Sequence, residues 1–160
     1  MKTSLSLCTA LFLTAISFAN SAAQTPPPAA PAPGSAGIFR SNADLQAAMT
    51  RSIANGGELS SASIALTDQY RGSMVRRTEP NGAIAHPGNT EMHYIVEGSG
   101  TVVTGGTVVR RDGVPATIQG GEAHRVVPGD IIIIPAGSPH MYSEVTEPIT
   151  YLEWRFVAPE

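Results

Sequence analysis

The chain has 160 residues, of which only 14% are charged, and its formal net charge at pH 7 is −3. This length predicts a single domain. The low charge, with no run of more than two basic residues, excludes a coiled coil and a basic nucleic-acid-binding module. The 16 glycines and 13 prolines are typical of a β fold with many turns.

Residues 1–23 have the layout of a secretory signal peptide. Lys2 supplies the basic start, residues 5–19 form an apolar core too short for a comfortable membrane span, and small residues follow. We expect cleavage after Ala23 and export to the periplasm or the cell exterior, with no stable membrane anchor afterwards. An uncleaved N-terminal membrane anchor is the alternative.

Cleavage at this position would also remove two residue types from the protein. Cys8 is the only cysteine, and Lys2 is the only lysine. The mature chain would therefore have no disulfide, no thiolate metal ligand and no lysine for Schiff-base chemistry.

A proline- and alanine-rich segment, residues 24–37, has no charge and no apolar face. It predicts a semi-extended tether ahead of a single domain at residues 38–160. That domain is predicted to begin with one helix at about residues 42–55. Ser41 can cap this helix, and its apolar face consists of side chains spaced four residues apart: Leu45, Met49 and Ile53.

Short strands separated by turn residues fill the rest of the chain and predict a β sandwich or barrel at about residues 60–157. Residues 105–121 are predicted to form an extended hairpin. The segment 131–134 is apolar at every position, so we expect both faces of that strand to be covered. The predicted strands are residues 61–66, 70–77, 83–85, 91–96, 101–110, 124–127, 131–134, 140–145 and 149–157.

Two segments, residues 86–98 and 129–140, together resemble the two sequence motifs of the cupin superfamily. The first motif reads H-x-H, three or four residues, E, six residues, G. The second reads G, five residues, P-x-G, two residues, H, three residues, N. The matching residues are His86, Glu91 and Gly98 in the first segment and Gly129, Pro135, Gly137 and His140 in the second. The resemblance covers about residues 60–157.

Two positions depart from these motifs. Ile84 stands where the first His of the H-x-H pair belongs, and Glu144 stands where the family often has Asn. The Asn is not usually a ligand, whereas the missing His removes one of the four protein ligands that the family typically places on its metal ion. The resemblance therefore implies an ion held by His86, Glu91 and His140, with the fourth protein ligand lost or replaced.

The residues themselves support the same chemistry. Imidazole and carboxylate groups are good ligands for Fe, Mn and Zn, and alternate residues of a strand face the same way, so Glu91 and His93 share a face. His93 is therefore a further metal ligand, a catalytic or supporting group beside the ion, or a core side chain whose ring nitrogens are hydrogen-bonded. Tyr142 shares the face of His140 and is predicted to line the pocket.

Four other side chains receive structural interpretations. His124 is predicted at the surface and Trp154 in the barrel wall. Arg76 and Arg77 are predicted to be an exposed pair. The alternative is that one of these arginines faces inward to hold a substrate carboxylate.

The resemblance implies an all-β, cupin-type double-sheet jelly-roll barrel with one short N-terminal α-helix outside, and a homodimer. One divalent metal ion, Fe, Mn or Zn, would serve oxygenase- or isomerase-like chemistry on a small organic substrate in the barrel. The alternatives are a metal-dependent ligand-binding module without turnover and a metal-free structural or sugar-binding cupin. No nucleic-acid partner is expected.

Overall fold

The computed structural model describes Gly34 and residues 36–158 of the chain. The predicted signal peptide, residues 1–23, and most of the predicted tether, residues 24–37, lie outside the described residues. Within the part that is described, no helix is long and apolar enough to cross a membrane.

The helix α1 spans Asn42–Ala54, close to the predicted bounds. Ser41 caps it, because its side chain accepts a hydrogen bond of 3.1 Å from the backbone N–H of Asp44. The apolar face of α1 packs against the outer side of the first two strands. The buried side chains of this contact are Met49, Ala62 and Met74. The helix therefore lies outside the barrel, as the sequence predicts.

The strands of the described chain are β1 (Leu59–Leu66), β2 (Tyr70–Arg77), β3 (Asn89–Thr104), β4 (Thr107–Arg111), β5 (Val114–Gln119), β6 (Glu122–Val126), β7 (Ile131–Ile134) and β8 (His140–Val157). They pair antiparallel in the order β1-β2-β8-β3-β6, and β7 pairs with β3. β4 and β5 form a separate hairpin where an extended hairpin is predicted. The fold is thus the all-β jelly-roll barrel that the cupin resemblance implies.

Two predicted interruptions do not occur. β3 continues through residues 97–100 and β8 through residues 146–148, so each pair of predicted strands is one long strand. The chain stays extended there because β3 and β8 pair with each other on both sides of these segments. Their register shifts at local bends, and Gly98, with a φ of 78°, lies against the Pro148 carbonyl at one bend.

Two further strand boundaries differ from the prediction. Gly105 and Gly106 both have positive φ and turn the chain from β3 into β4, so the predicted strand 101–110 is divided. The predicted strand 83–85 is reduced to a single bridge between Ile84 and His140.

The expectation that both faces of β7 are covered is wrong. Ile131 and Ile133 are 60% and 59% exposed, whereas Ile134 is buried. Among the described strands, β7 pairs with β3 alone, at the margin of the sheet. Its outward side chains therefore contact solvent. The apolar run at residues 131–134 thus does not mean that the strand is buried on both faces.

The main core lies inside the barrel and continues directly into a polar cluster. Tyr142 and Tyr151 stack within it, with ring centroids 5.3 Å apart. The ring of His93 lies 6.0 Å from the first of these tyrosines and 4.6 Å from the second. The buried core residues are Val75, Ile95, Val102, Val126, Tyr142, Ile149 and Tyr151.

Gly98→Ala should destabilise the fold. A Cβ at this positive φ is strained and would overlap the backbone carbonyl of Pro148. We expect the free energy of unfolding to fall by about 2 kcal/mol or more in urea denaturation. Gly88→Ala is the matched control, because no atom lies within 4 Å of the added carbon. Equal stability of the two variants would show that the bend in β3 does not require glycine.

Candidate metal centre

Strand alternation and register bring four titratable side chains into the barrel. Glu91 and His93 are alternate residues of β3 and are only 1% and 2% exposed. Arg155 and Glu153 of β8 lie directly opposite them. Because facing residues of paired antiparallel strands project to the same side of the sheet, all four side chains meet on the inner face.

His86, from the first motif region, and His140, from the second, also reach this inner cluster. His140 is the first residue of β8, and its backbone exchanges hydrogen bonds of 2.9 and 3.0 Å with that of Ile84. The carbonyl of His86 accepts hydrogen bonds from the backbone N–H groups of Asn89 and Gly137, at 3.2 and 3.0 Å. The backbone of both histidines is thus anchored at the barrel.

The two histidines approach the two oxygens of the Glu91 carboxylate. His86 Nε2 lies 3.5 Å from Oε1, and His140 Nε2 lies 3.8 Å from Oε2. Two ligand atoms that each bind a common ion at about 2.1 Å stand roughly 3 to 4 Å apart. One donor atom from each of these side chains lies within 4.8 Å of the others. The spacing therefore suits a metal ion among the three.

The ring of His140 is oriented for such a contact. Its Nδ1 lies 3.2 Å from the carbonyl oxygen of Ser138, which can only accept, so Nδ1 carries the proton and Nε2 keeps its lone pair. Burial lowers the pKa of His140, against the raising effect of the Glu91 charge. Burial thus favours the neutral imidazole that binds metal, and the Ser138 contact, which by itself raises the pKa, fixes the tautomer that leaves Nε2 free.

His93 stands beside this trio. Its Nδ1 lies 3.1 Å from the hydroxyl oxygen of Tyr142, and its Nε2 lies 3.5 Å from Glu91 and 3.7 Å from Glu153. With these two carboxylates it forms a second group of donors that could hold an ion. His93 is not a core side chain with both ring nitrogens hydrogen-bonded, because its Nε2 has no hydrogen-bond partner among the described residues.

Glu153 and Arg155 were not among the predicted site residues. Arg155 Nε lies 3.2 Å from Glu91 Oε2 and 3.0 Å from Glu153 Oε1, so one guanidinium is shared between two carboxylates. The alternation along the last strand indicates that either residues 151, 153 and 155 or their neighbours face inward. Only the register of β8 against β3 shows which set it is.

The two carboxyl groups differ in pKa. Burial would raise the pKa of Glu91, but the neighbouring His93, His140 and His86 outweigh it and hold that pKa below its usual value. Burial raises the pKa of Glu153; His93 opposes this rise, and the negative charge of Glu91 adds to it. Glu91 is therefore the carboxylate better suited to bind a cation.

Arg77 corrects the expectation of an exposed arginine pair. It ends β2, two residues after the core residue Val75, and is only 8% exposed. Strand alternation places Arg76 on the other side, where it lines a groove beside α1. Only Arg76 of the pair therefore points away from the barrel interior.

His124 and Trp154 lie where the sequence predicts. The side chain of His124 is 49% exposed and contacts Glu122. Trp154 is on the outer side of β8, where its ring lies near those of Tyr70 and Phe156. Neither side chain belongs to the polar cluster.

A cavity of about 260 Å³ opens beside the cluster. His93 and His140 form part of its wall, and Tyr142 lines it as well. The volume is slightly below the range of about 300–1,000 Å³ that is typical of pockets for drug-sized ligands. The cavity therefore suits a small molecule that touches the histidines directly.

Four buried atoms of the cluster that could donate a lone pair to a metal ion have no hydrogen-bond partner among the described residues. They are His86 Nε2, His93 Nε2 and both carboxylate oxygens of Glu91. Each such atom costs about 1–3 kcal/mol when it is left unpaired. A divalent cation accepts lone pairs from imidazole and carboxylate groups and would satisfy His86 Nε2 and an oxygen of Glu91. The residues present therefore fit a metal ion.

A sequence comparison with protein-family models matches residues 75–155 to the cupin domain. The chain belongs to the cupin family. The matched segment includes both motif regions and the four residues that converge in the barrel: His86, Glu91, His93 and His140. Among curated proteins, a comparison finds no match to this chain.

Several solved structures are similar to this chain at low sequence identity. A cupin superfamily protein from Desulfitobacterium hafniense is 16% identical, with a TM-score of 0.46, over 64% of this chain and 80% of that one. A predicted oxalate decarboxylase from Thermotoga maritima is 17% identical, with a TM-score of 0.49, over 64% of this chain and 83% of that one. DMSP lyase DddQ from Ruegeria pomeroyi is 18% identical, with a TM-score of 0.47, over 64% of this chain and 49% of the lyase.

This cupin differs from the motif at one ligand position. Ile84 occupies the place of the first motif histidine, pairs with His140 through its backbone and lines the cavity. Its side chain offers no ligand atom. The cluster around Glu91 therefore has three donors where the motif provides four, unless His93 contributes the fourth.

Arg155→Met should strongly destabilise the protein in the presence of a chelator. The substitution leaves the carboxylates of Glu91 and Glu153 without their shared cation in a buried place. Removing one partner of a buried ion pair costs about 3–5 kcal/mol, which urea denaturation would measure. Added divalent metal should restore part of the loss, because it supplies another cation at Glu91.

Arg125→Met is the control for this experiment. Arg125 is exposed, and its guanidinium makes a single long hydrogen bond, 3.4 Å, to Thr146. We expect little change in its free energy of unfolding. If Arg155→Met were as stable as Arg125→Met, the two inner carboxyl groups would not depend on Arg155 for charge balance.

Proposed function

We propose that this protein is an exported, metal-dependent cupin that acts on a small organic molecule held in its barrel. The proposal is carried by the convergence of His86, Glu91 and His140, whose ligand atoms lie within 4.8 Å of one another and include buried atoms of His86 and Glu91 without a hydrogen bond in the described residues. Fe, Mn and Zn suit such a set of imidazole and carboxylate ligands. When bound, such an ion supplies Lewis-acid or oxygen-activating chemistry of an isomerase- or oxygenase-like type.

The surrounding residues would orient the ligands for this role. Ser138 holds the ring of His140 through Nδ1, as metal-binding histidines require. Arg155 approaches Oε2 of Glu91, which leaves Oε1, the oxygen nearer His86, for the ion. Burial keeps the pKa of Tyr142 far above its usual value, so its hydroxyl is a neutral partner for Nδ1 of His93.

The cavity also carries a titratable group besides these ligands, which favours turnover over ligand binding alone. Glu153 lines the cavity wall, and its Oε2 lies 3.7 Å from His93 Nε2. At this distance a carboxyl and an imidazole can pass a proton between them through one water or a bound molecule. We assign Glu153 and His93 this proton-handling role.

Metal content is the direct test of the proposal. Elemental analysis of protein purified without chelator or affinity tag should find about one Fe, Mn or Zn ion per chain. His86→Ala and His140→Ala should each weaken binding by more than about 100-fold, because loss of a mere supporting partner already costs about 10–100-fold. Both variants should also lose the rise in melting temperature on addition of metal.

His124→Ala is the matched control, since it removes an exposed histidine outside the cluster. Its metal content and its response to metal should equal those of the wild type. If His86→Ala and His140→Ala behaved like this control, the assigned site would be wrong.

His93→Phe separates the two roles left for His93. If His93 is a ligand, this variant should lose metal as His140→Ala does. We expect metal content near wild type instead, because His93 does not belong to the donor group of His86, Glu91 and His140. Any activity should still fall, because the group that contacts Glu153 would be gone.

A metal-free cupin that binds a small ligand is the second candidate, and one contact favours it. The guanidinium of Arg155 lies 3.2 Å from Glu91 and already supplies that carboxylate with a cation. Wild-type protein that contains no metal, and whose melting temperature does not respond to Fe, Mn or Zn, would select this candidate.

Export is the part of the proposal that rests on the sequence alone. When the full chain is expressed in a host with a secretory pathway, mass spectrometry of the exported fraction should find Gln24, or a residue close to it, at the N-terminus. Ala23→Arg should block cleavage there, because signal peptidases require a small residue before the cut. Soluble cytoplasmic protein that retains Met1 would contradict export.

A further inference from the structure

Arg77 is a buried cation without an acidic partner in the described part of the chain. It is 8% exposed, and its Nε is buried without a hydrogen-bond partner. Among the residues that the structure describes, the arginine ion pairs are those of Arg155, and none includes Arg77. A guanidinium stays charged in proteins, and an unpaired buried charge is costly. The position is therefore suited to an anion from outside the chain.

The groups around Arg77 do not supply that anion. Its Cζ lies over the ring of Tyr142, 5.4 Å from the centroid, in a cation–π contact. Burial raises the pKa of Tyr151 to about 12 even though the charge of Arg77 opposes the rise, and burial also raises the pKa of Tyr142. Both phenols are neutral at neutral pH. The residues opposite Arg77 on the flanking strands, Leu59 and Ile149, are apolar.

The same cavity connects Arg77 with the polar cluster. Its wall includes Arg77 as well as His93 and His140. Three arginines and one glutamate line it, and a divalent ion at Glu91 would add further positive charge. The electrostatic balance of the cavity therefore attracts an anion.

We propose that the cavity binds its small organic ligand through a carboxylate group, and that Arg77 is the residue that holds this carboxylate. The inference rests on the proposed function, since it names the chemical class of the substrate at that site. A planar guanidinium can donate two parallel hydrogen bonds to a carboxylate. One guanidinium with no acidic partner among the described residues matches the single charge of a carboxylate better than the double charge of a phosphate ester.

The rest of the ligand has a place in the same cavity. Apolar side chains of Leu59, Val75 and Ile84 line the walls and can contact a short hydrocarbon part. A carboxylate at Arg77 would leave the remaining part of the molecule within the cavity that His93 and His140 also line. Arg77 is thus a binding and specificity residue, while the histidines contact the reacting part.

Matched pairs of small acids and their amides test this inference on the full chain with its metal content measured. The probes are butyrate and butyramide, glycolate and glycolamide, and benzoate and benzamide, with inorganic phosphate as a further anion. Binding is measured by ligand-detected NMR and calorimetry. At least one carboxylate should bind about 10- to 100-fold more tightly than its amide, because the amide lacks the charge that Arg77 would pair with.

Arg77→Met should remove this preference, with a loss of carboxylate affinity of about 10- to 100-fold. Its metal content should stay at the wild-type level, because Arg77 is not in the donor group around Glu91. Arg76→Met is the matched control on the opposite side of the same strand and should bind carboxylates as the wild type does. Arg77→Lys keeps the charge without the two-pronged geometry and should give intermediate affinity; it carries the test if Arg77→Met does not fold.

Three results would overturn the inference: carboxylates and amides that bind equally or not at all, binding of phosphate alone, or Arg77 variants that bind like Arg76→Met. Failure of the proposed function is read separately, from metal content. Protein that contains metal but shows no Arg77-dependent carboxylate binding retains the proposed function and loses this inference. Protein without metal whose carboxylate binding depends on Arg77 retains this inference and loses the proposed function.

Discussion

The antiparallel pairing of β3 with β8 is the contact on which the site depends. Its register sets Glu91 opposite Arg155 and His93 opposite Glu153, and all four side chains point into the barrel. A slip of one residue would turn each strand over and bring the outer face inward. The pairing also holds His140 at the start of β8, so the strand that supplies the cation and the second carboxylate presents a histidine to the same carboxylate of Glu91.

That pairing collects charged groups where charge is costly. Arg155 balances part of the negative charge, but both oxygens of Glu91 remain without a hydrogen bond in the described residues. Arg77, which has no acidic partner among the described residues, lies on another wall of the same cavity. Tyr142 links the two regions, because its hydroxyl contacts His93 and its ring lies beneath Arg77. Unsatisfied polar groups reduce stability, and proteins keep them chiefly where they bind something.

Local pattern was a good guide to elements that depend on local interactions. The cap at Ser41 and the apolar spacing of the following residues predicted α1 correctly. Glycine-rich segments do not have one structural outcome. Gly105 and Gly106 do form a turn, whereas Gly98 lies in a continuous strand. The difference is the partner strand, since β8 pairs with β3 beyond Gly98 and stops at Thr104.

The sequence by itself determined the all-β class, the helix, the two motif regions and the shared face of Glu91 and His93, because these depend on residue type and on the two-residue period of a strand. Only the tertiary structure decided which alternate residues face inward. Arg77, Glu153 and Arg155 are inside because of the strands that they pair with, and an alternating pattern has the same form for either choice of face. Charge adds no local signal, because a charged residue in a strand is ordinarily exposed. These three charged residues lie inside the barrel because their strands pair with strands that are distant in the sequence.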